Sequence, residues 1–579
     1  MALEEYKQFI SQQWVVFVGF LIVGLLLYGN TFSNEFIWDD YEGVVYNDYI
    51  KDRSHFPEYF TQSLVSGAGM ENNYWRPLVL FSFYADYKLG ELDVFWYHLQ
   101  NIFWHILATS LVYVFLREIS LQKWKAFLVA LLFLIHPLQT EAVTYISGRA
   151  DMMFGFFVLL SLIGAVKYIK TDSYRKYLYY LGSVICFGLA LLAKERGILV
   201  LPLVAGYFFL LTDFAWRRKF FLISPFVAIG VGYLVLRATV LHFVSDFNTV
   251  IVGGVDFQTL NILQQATLYL KVIGLYFWLI FVPIKLHMIR VVNLEGGFWN
   301  GYVIIGGIVV MMIVLSGVYF LKKNRRREVF FLYWILITLF PSFYTFKMQG
   351  YVGEHWLYLV LPGVFVFLVE GYEWILKKWC SKVICKRMVV VLGVCFLVLL
   401  SVGTVKRNKE WARAIDFYEI NIKRGGASAV IYNNLGIAYA REGEYDKSLI
   451  MYDKALALND EMCKAWYNKG NVYYKLKQYD QAEEKFKRSL ECDDDFLPAY
   501  HNLALLYLDV GKRKEAISFL KDVEHKFSEE PVLNYDLALL YFLEKNFEES
   551  KKYVKRVLKI DSDNVQGKKL LRAIILVGR

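Results

Sequence analysis

Two adjacent carboxylates, Asp39 and Asp40, stand in the stretch FIWDDYEGVVYND, directly after the first long apolar run of the chain. A carboxylate so near a hydrocarbon boundary is costly unless solvated, paired or used, so the pair reads as a candidate general base with a companion. The same residues would also serve as a helix N-cap on a wet loop. Further along, charged side chains again abut apolar runs. YWRPL carries Arg76; HPLQTEAVTYISGRAD (136–151) carries His136, Glu141, Arg149 and Asp151. AKERG (193–197) carries Lys194, Glu195 and Arg196, and QGYVGEHWLY (349–358) carries Glu354 and His355. Taken singly, each charge is an interfacial anchor or half of a structural ion pair. Gathered beside paired carboxylates, such cations suit a lipid-linked phosphate, whose charge must be neutralised as its bond to a transferred group breaks. Phosphate leaves without protonation, so one carboxylate acting on an acceptor hydroxyl is sufficient chemistry. The other could orient the first, hold the acceptor or bind a divalent cation, and the sequence does not choose. We favour Asp39 as base with Asp40 supporting it.

These residues need elements to hold them. With 57% hydrophobic and 18% aromatic content over 579 residues, the chain is too apolar and too long for one ordinary soluble domain. Apolar runs near residues 13–30, 98–117, 126–145, 152–169, 177–193, 197–213, 219–241, 266–283, 301–321, 329–346, 356–376 and 388–405 make twelve candidate spans. Basic clusters at residues 175–176, 217–219, 322–327 and 377–387 read as cytoplasmic loops. The three runs between the second and third clusters cannot then all cross. Residues 266–283, which hold Lys271 and end at Pro283, are expected at the interface or as a re-entrant helix. About eleven crossings from a cytoplasmic N-terminus put the Asp39 loop (31–97), the other charged motifs and everything after residue 405 on the outer side. His98, Asn101 and His105 share one face of the second span, the pattern of interhelical hydrogen bonds. The first run, preceded by Glu4 and Glu5 and without a small-residue cleavage site, reads as a retained anchor. The six cysteines show no metal-ligand spacing and no visible chemistry. Acidic and basic residues nearly balance beyond Lys406, which argues against nucleic acid as a partner.

The last third repeats with a period of 34, the length of a tetratricopeptide unit. Small residues recur at Gly436, Gly470, Ala504 and Ala538, aromatics at Tyr439, Tyr473, Tyr507 and Tyr541, and small residues again at Ser448, Ala482, Ala516 and Ser550. One period earlier lie Trp411, Ala414 and Tyr418, the pattern of an incomplete unit near 407–424 whose first helix would be the final span. The expected architecture is all-α: a transmembrane bundle over 1–405, then a tetratricopeptide α-solenoid over 406–579 with four complete units.

In combination, these motifs resemble the transmembrane and tetratricopeptide-repeat O-mannosyltransferases and their prokaryotic relatives, in the C-type (GT-C) glycosyltransferase superfamily. The matching pieces are FIWDD with Asn47, YWRPL with His98, Asn101 and His105, HPLQTEAVTYISGRAD, AKERG and GEHWLYLVLP. The resemblance implies transfer of a sugar, mannose, from a polyprenyl or dolichyl phosphate carrier to protein hydroxyls, with the repeats binding the acceptor. It implies an acidic base at Asp39 or Asp40 and places Arg149, Asp151, Lys194 and Glu195 near the donor phosphate; Arg76, His136, Glu141, Glu354 and His355 are further candidates for holding donor or substrate, with Asn47, His98, Asn101 and His105 in support. His355 stands where a GERxLYLP-like motif would have Arg. No Asn-x-Ser/Thr sequon occurs, which favours a prokaryotic plasma membrane over the endoplasmic reticulum, the corresponding site in a eukaryote. Two other readings remain: a membrane-anchored repeat scaffold without catalysis, and a ligase moving a lipid-linked sugar to a non-protein acceptor. A transporter fits poorly, since few ionisable residues lie at the middle of spans.

Overall fold

The computed structural model describes residues 2–70, 72–239, 241, 251–252, 255–256, 259–349, 351–378, 382–562 and 564–577. Two compact units divide the chain, Met1–Gly426 and Ala427–Arg579.

In the first unit, length and apolarity qualify seven helices among the described residues to cross a bilayer: Gln13–Thr31, Val94–Glu118, Ile146–Lys170, Arg175–Ala193, Trp216–Thr239, Gly301–Lys322 and Val383–Lys409. An eighth is broken. Lys123–Ile135 and Pro137–Thr144 meet at 54° across His136. Pro137 has no N–H to give and pushes the residue before it out of the helical region, so His136 is extended (φ −74°, ψ 131°). The helix Ile262–Phe281, which covers the run expected not to cross, is not among the qualifying helices. It packs closely on Gly301–Lys322 through glycines: a Cβ on Gly274 would lie 1.8 Å from the Tyr302 carbonyl oxygen, and one on Gly306 1.9 Å from that of Leu270.

The division between units falls at Gly426 instead of near residue 405. Trp411, Ala414 and Tyr418 do lie in and just before a helix, Ala414–Lys423, but their partners belong to the membrane unit. The Trp411 ring lies 5.6 Å from Tyr145, Tyr418 lies 6.0 Å from Trp38, and the Ala414 N–H donates to Glu35 at 3.1 Å. Asn408 is buried and binds the Leu27 carbonyl, Asn30 and Thr144 at 2.9–3.0 Å.

The second unit is four helical hairpins, from Ala429–Arg441 with Tyr445–Leu458 to Pro531–Leu543 with Phe547–Ile560, followed by Val565–Val577. The 34-residue register has a steric cause. A Cβ on Gly436 would come 2.5 Å from the Tyr452 ring and one on Gly470 2.7 Å from Phe486, so the paired helices touch where the small residues recur. Ser448 and Ser550 are buried, and each donates to the carbonyl of the small residue twelve positions earlier at 2.7 Å. The cysteines are not inert here, as their spacing had implied: Cys463 and Cys492 form a disulfide that closes the second hairpin, and Cys385 in the membrane unit is disulfide-bonded as well.

Candidate active site

The chain leaves the first helix through a 3-10 turn and enters a loop whose geometry separates the two aspartates. Asp40 is buried and saturated: one carboxylate oxygen accepts from the Ile37 N–H (3.0 Å), the other from the N–H and hydroxyl of Ser147 (2.8 and 2.6 Å). Its burial pushes the pKa up to about 7 against those bonds. Asp39, one residue earlier, is exposed. Trp38 before it adopts a left-handed backbone (φ 59°), a strained choice for a bulky residue that the packing around it must over-determine. The Asp39 N–H donates to the Tyr145 hydroxyl at 3.2 Å. The protein enclosing the Asp39 carboxylate raises its pKa to about 6; Glu42 adds to the rise, and hydrogen bonds from Tyr145 and Trp38 and the charge of Arg76 oppose it.

Arg76 links this carboxylate to a set of ion pairs. Its guanidinium holds Glu195 in a two-pronged contact (3.2 and 2.7 Å) and lies 4.4 Å from the centre of the Tyr74 ring. Burial alone would raise the Glu195 pKa, but Arg76 brings it down to about 2. Beside it Lys194 grasps both oxygens of Asp151 at 2.7 and 2.8 Å, with burial and the neighbouring arginines lowering the lysine pKa. Arg196 completes the group, half-buried against Trp356 at 5.3 Å.

A second node lies around the GEHW segment. Buried Glu141 accepts from the N–H groups of Glu354 and His355 (2.7 and 3.0 Å) and pairs with His355 Nδ1 at 2.8 Å. Glu354 accepts from the His287 N–H and from Arg290, both at 2.8 Å, with Arg407 3.7 Å away. Burial raises the Glu354 pKa, and both arginines resist that rise.

Several expected site residues turn out to be fully occupied by the fold. Arg149 is enclosed by Asp86, Asn101 (2.7 Å), Ser82 (3.2 Å), Gln100 (2.6 Å) and the Tyr97 carbonyl (2.9 Å), so it offers no open edge to a phosphate. His136 is buried at the span break, where Nδ1 accepts from the Leu138 N–H and Nε2 donates to the Ile280 carbonyl. Among the supporting residues, Asn101 binds the Val143 and Tyr145 carbonyls and His105 meets the Tyr358 hydroxyl (3.0 Å). His98 reaches the Asn34 carbonyl, and Asn47 ties Gly43 to Leu64. Sequence reasoning missed Tyr145, Tyr74, Asp86, Arg290, Arg407 and Trp356. Tyr74, Tyr145 and Trp356 sat inside motifs already singled out, but a neutral ring carries no charge signal. As for metal, Asp40 has no free oxygen, leaving Asp39 as the open carboxylate of the pair. Among the described residues, three metal-type ligands converge at Asp493, Asp494 and Asp495, an acidic run in the repeat unit.

The class that fold and site define is an integral-membrane helical protein with an accessible carboxylate beside buried ion pairs, joined to a tetratricopeptide array. Comparison with known proteins is more specific. The family described as dolichyl-phosphate-mannose-protein mannosyltransferase matches residues 16–261, and tetratricopeptide families match 427–495, 461–524 and 532–564. Human protein O-mannosyl-transferase TMTC2 is 35% identical over 191 residues, 32% of this chain and 23% of that protein. The Caenorhabditis elegans protein O-mannosyl-transferase F38B6.6 is 25% identical over 434 residues, 72% of this chain and 58% of that protein. The crystal structure of MamA, at 20% identity, covers 26% of this chain and 90% of its own with a TM-score of 0.24. Residues 16–261 are thus similar to protein O-mannosyltransferases and the last third to tetratricopeptide repeats, and the chain spans less than two thirds of the length of either curated relative.

Proposed function

We propose that this protein transfers mannose from a polyprenyl or dolichyl phosphate to hydroxyl groups of a polypeptide held by the repeats. Asp39 takes the proton from the acceptor hydroxyl; the freed oxygen lone pair attacks the anomeric carbon; the bond to the phosphate oxygen breaks, and its electron pair leaves with the phosphate. A single displacement of this kind inverts the anomeric centre. The observation that carries the reading is the accessible Asp39, with Arg76 close enough to act on its charge and the Lys194–Asp151 pair behind. Cations fixed by their own carboxylates need not reorganise when negative charge develops on the leaving phosphate. A divalent cation, if used, would find Asp39 as its ligand from the aspartate pair. The repeats favour a protein acceptor over a lipid or glycan one, since solenoids of this type present extended binding surfaces. The Cys463–Cys492 disulfide supports an oxidising compartment, outside the cytoplasm, for the tail.

The test is transfer of radiolabelled mannose from dolichyl-phosphate-mannose to a serine- and threonine-rich polypeptide by the purified protein. Asp39→Asn should lower transfer by about 10²–10⁴-fold while leaving the protein folded. Undiminished transfer by that variant would remove Asp39 from the mechanism.

A further inference from the structure

Glu141 and His355 form a pair with one sealed end and one open end. Glu141 is fully buried, and its Oε2 is already taken by the N–H groups of Glu354 and His355. Its Oε1 accepts from His355 Nδ1 at 2.8 Å, which fixes a proton on that nitrogen. The other ring nitrogen, Nε2, bonds to nothing among the described residues and is not sealed in, and the side chain keeps 23% of its surface exposed. Gly353 makes the room for this ring: a Cβ there would lie 2.9 Å from His355 Cε1 and 3.0 Å from Nδ1. Trp356 meets the ring edge-on at 5.9 Å. The imidazole belongs to the same site as the aspartate base, since its charge acts on Asp151, the partner of Lys194, and Tyr351 lies within interaction range of both Glu141 and Asp39. The charged and titratable groups around it are Glu141 on Thr140–Thr144, Asp151 on Ile146–Lys170, Lys194 and Arg196 on the AKERG segment, and Tyr276 on Ile262–Phe281. A neutral imidazole held this way would turn a lone pair toward a phosphate, whereas the protonated ring offers an N–H whose charge Glu141 balances from behind. Arginine, which the motif pattern would supply at position 355, keeps its charge at every pH; histidines gain and lose theirs between about pH 5 and about pH 8.

We infer that the Glu141–His355 pair is a proton-gated grip on the donor: protonated, His355 Nε2 donates to the phosphate of the lipid-linked sugar, and on losing that proton it lets go. This assignment rests on the donor reading above and adds a regulation to it, donor binding that follows the pH around the site.

The experiment follows the thermal midpoint of the purified full-length protein in detergent, without acceptor, during titration with dolichyl-phosphate-mannose at about pH 5.5 and about pH 8. This lipid is a phosphodiester, so its own charge stays the same at both. Wild type should bind about tenfold more tightly at the lower pH. His355→Arg should bind at both as wild type does at the lower, because its charge is permanent. His355→Asn sets an amide N–H where Nδ1 stands, so Glu141 stays paired while nothing remains at Nε2, and it should bind weakly at both. If the Asn variant does not fold, the lost pH dependence of His355→Arg carries the test. The same series in Asp39→Asn removes that carboxylate's own titration and should keep the contrast. A wild type that responds to the lipid at neither pH overturns the donor reading and this assignment with it. A responsive wild type with equal affinity at both, an Asn variant that keeps the pH dependence, or an equal response to inorganic phosphate at the same concentration overturns the assignment alone.

Discussion

At the scale of single residues, two neighbouring aspartates differ because one is saturated and the other open. Asp40 accepts three hydrogen bonds that tie the loop to Ser147, so Asp40→Asn sets an amide N–H against donors and should cost about 1–3 kcal/mol of stability, read as a lowered thermal midpoint. Asp39→Asn should leave that midpoint nearly unchanged and lower transfer by about 10²–10⁴-fold. On the proposal that Asp39 is the base, it must be ionised to act, so kcat/KM should fall as pH drops through about 6, the value to which Asp39 is raised. Glu42 contributes to that rise, so Glu42→Gln should move the acid limb to lower pH. An acid limb that stays in place in this variant would show that another group sets it. Arg149 makes the opposite case. With Asp86 it forms a buried pair, and removing the arginine alone leaves an uncompensated carboxylate; Arg149→Leu should cost about 3–5 kcal/mol and the folded yield should collapse. The double variant Arg149→Leu with Asp86→Leu should recover much of that yield in size-exclusion chromatography, whereas a phosphate-binding arginine would gain nothing from the second change.

At the scale of elements, the Asp39 loop owes its shape to segments far away in the chain. Ser147 holds it, Trp411 packs on Tyr145, and Asn408 and Tyr418 brace the first-helix exit and Trp38 respectively. Asn408→Ala would orphan groups at both the Leu27 end and Thr144, and should cost about 1–3 kcal/mol and lower kcat more than it raises KM for the donor. Equal changes in both constants would mean that the brace does not set the catalytic loop. These contacts explain what the sequence could and could not reveal. Repeats were legible because steric need recurs at fixed spacing, as at Gly436 and Gly470. The charged motifs were legible because ionisable groups beside apolar runs are rare. Their partnerships were not: Glu141 meets His355 across 214 positions and Asp40 meets Ser147 across 107, and a charge read along the chain does not say whether the fold will neutralise it. Arg149 and Arg196 looked alike in sequence, yet one is enclosed and the other half-open. The same limit applies to Trp411 and Tyr418, which keep the repeat phase but pack on the membrane unit.

At the scale of the whole molecule, the disulfides make the topology testable. If the basic clusters are cytoplasmic loops, as expected from the sequence, the tail lies outside the cytoplasm and residues 377–387 inside, so Cys463 and Cys492 should be oxidised while Cys385 faces a reducing compartment. The structure bonds both Cys385 and the tail pair, and the two demands conflict for Cys385. Alkylation of intact cells without reduction, followed by mass spectrometry of the tryptic peptides, separates them. The Cys463 and Cys492 peptides should appear linked and unalkylated, and an alkylated pair would place the tail in the cytoplasm. An oxidised Cys385 would move the loop before the last span outward and change the parity of the crossings. The tail bridge joins residues 29 apart in sequence, so restraint of the unfolded chain is worth about 3–4 kcal/mol. Replacing both cysteines by serine should therefore lower the unfolding midpoint of the repeat unit while the midpoint of the membrane unit stays where it was.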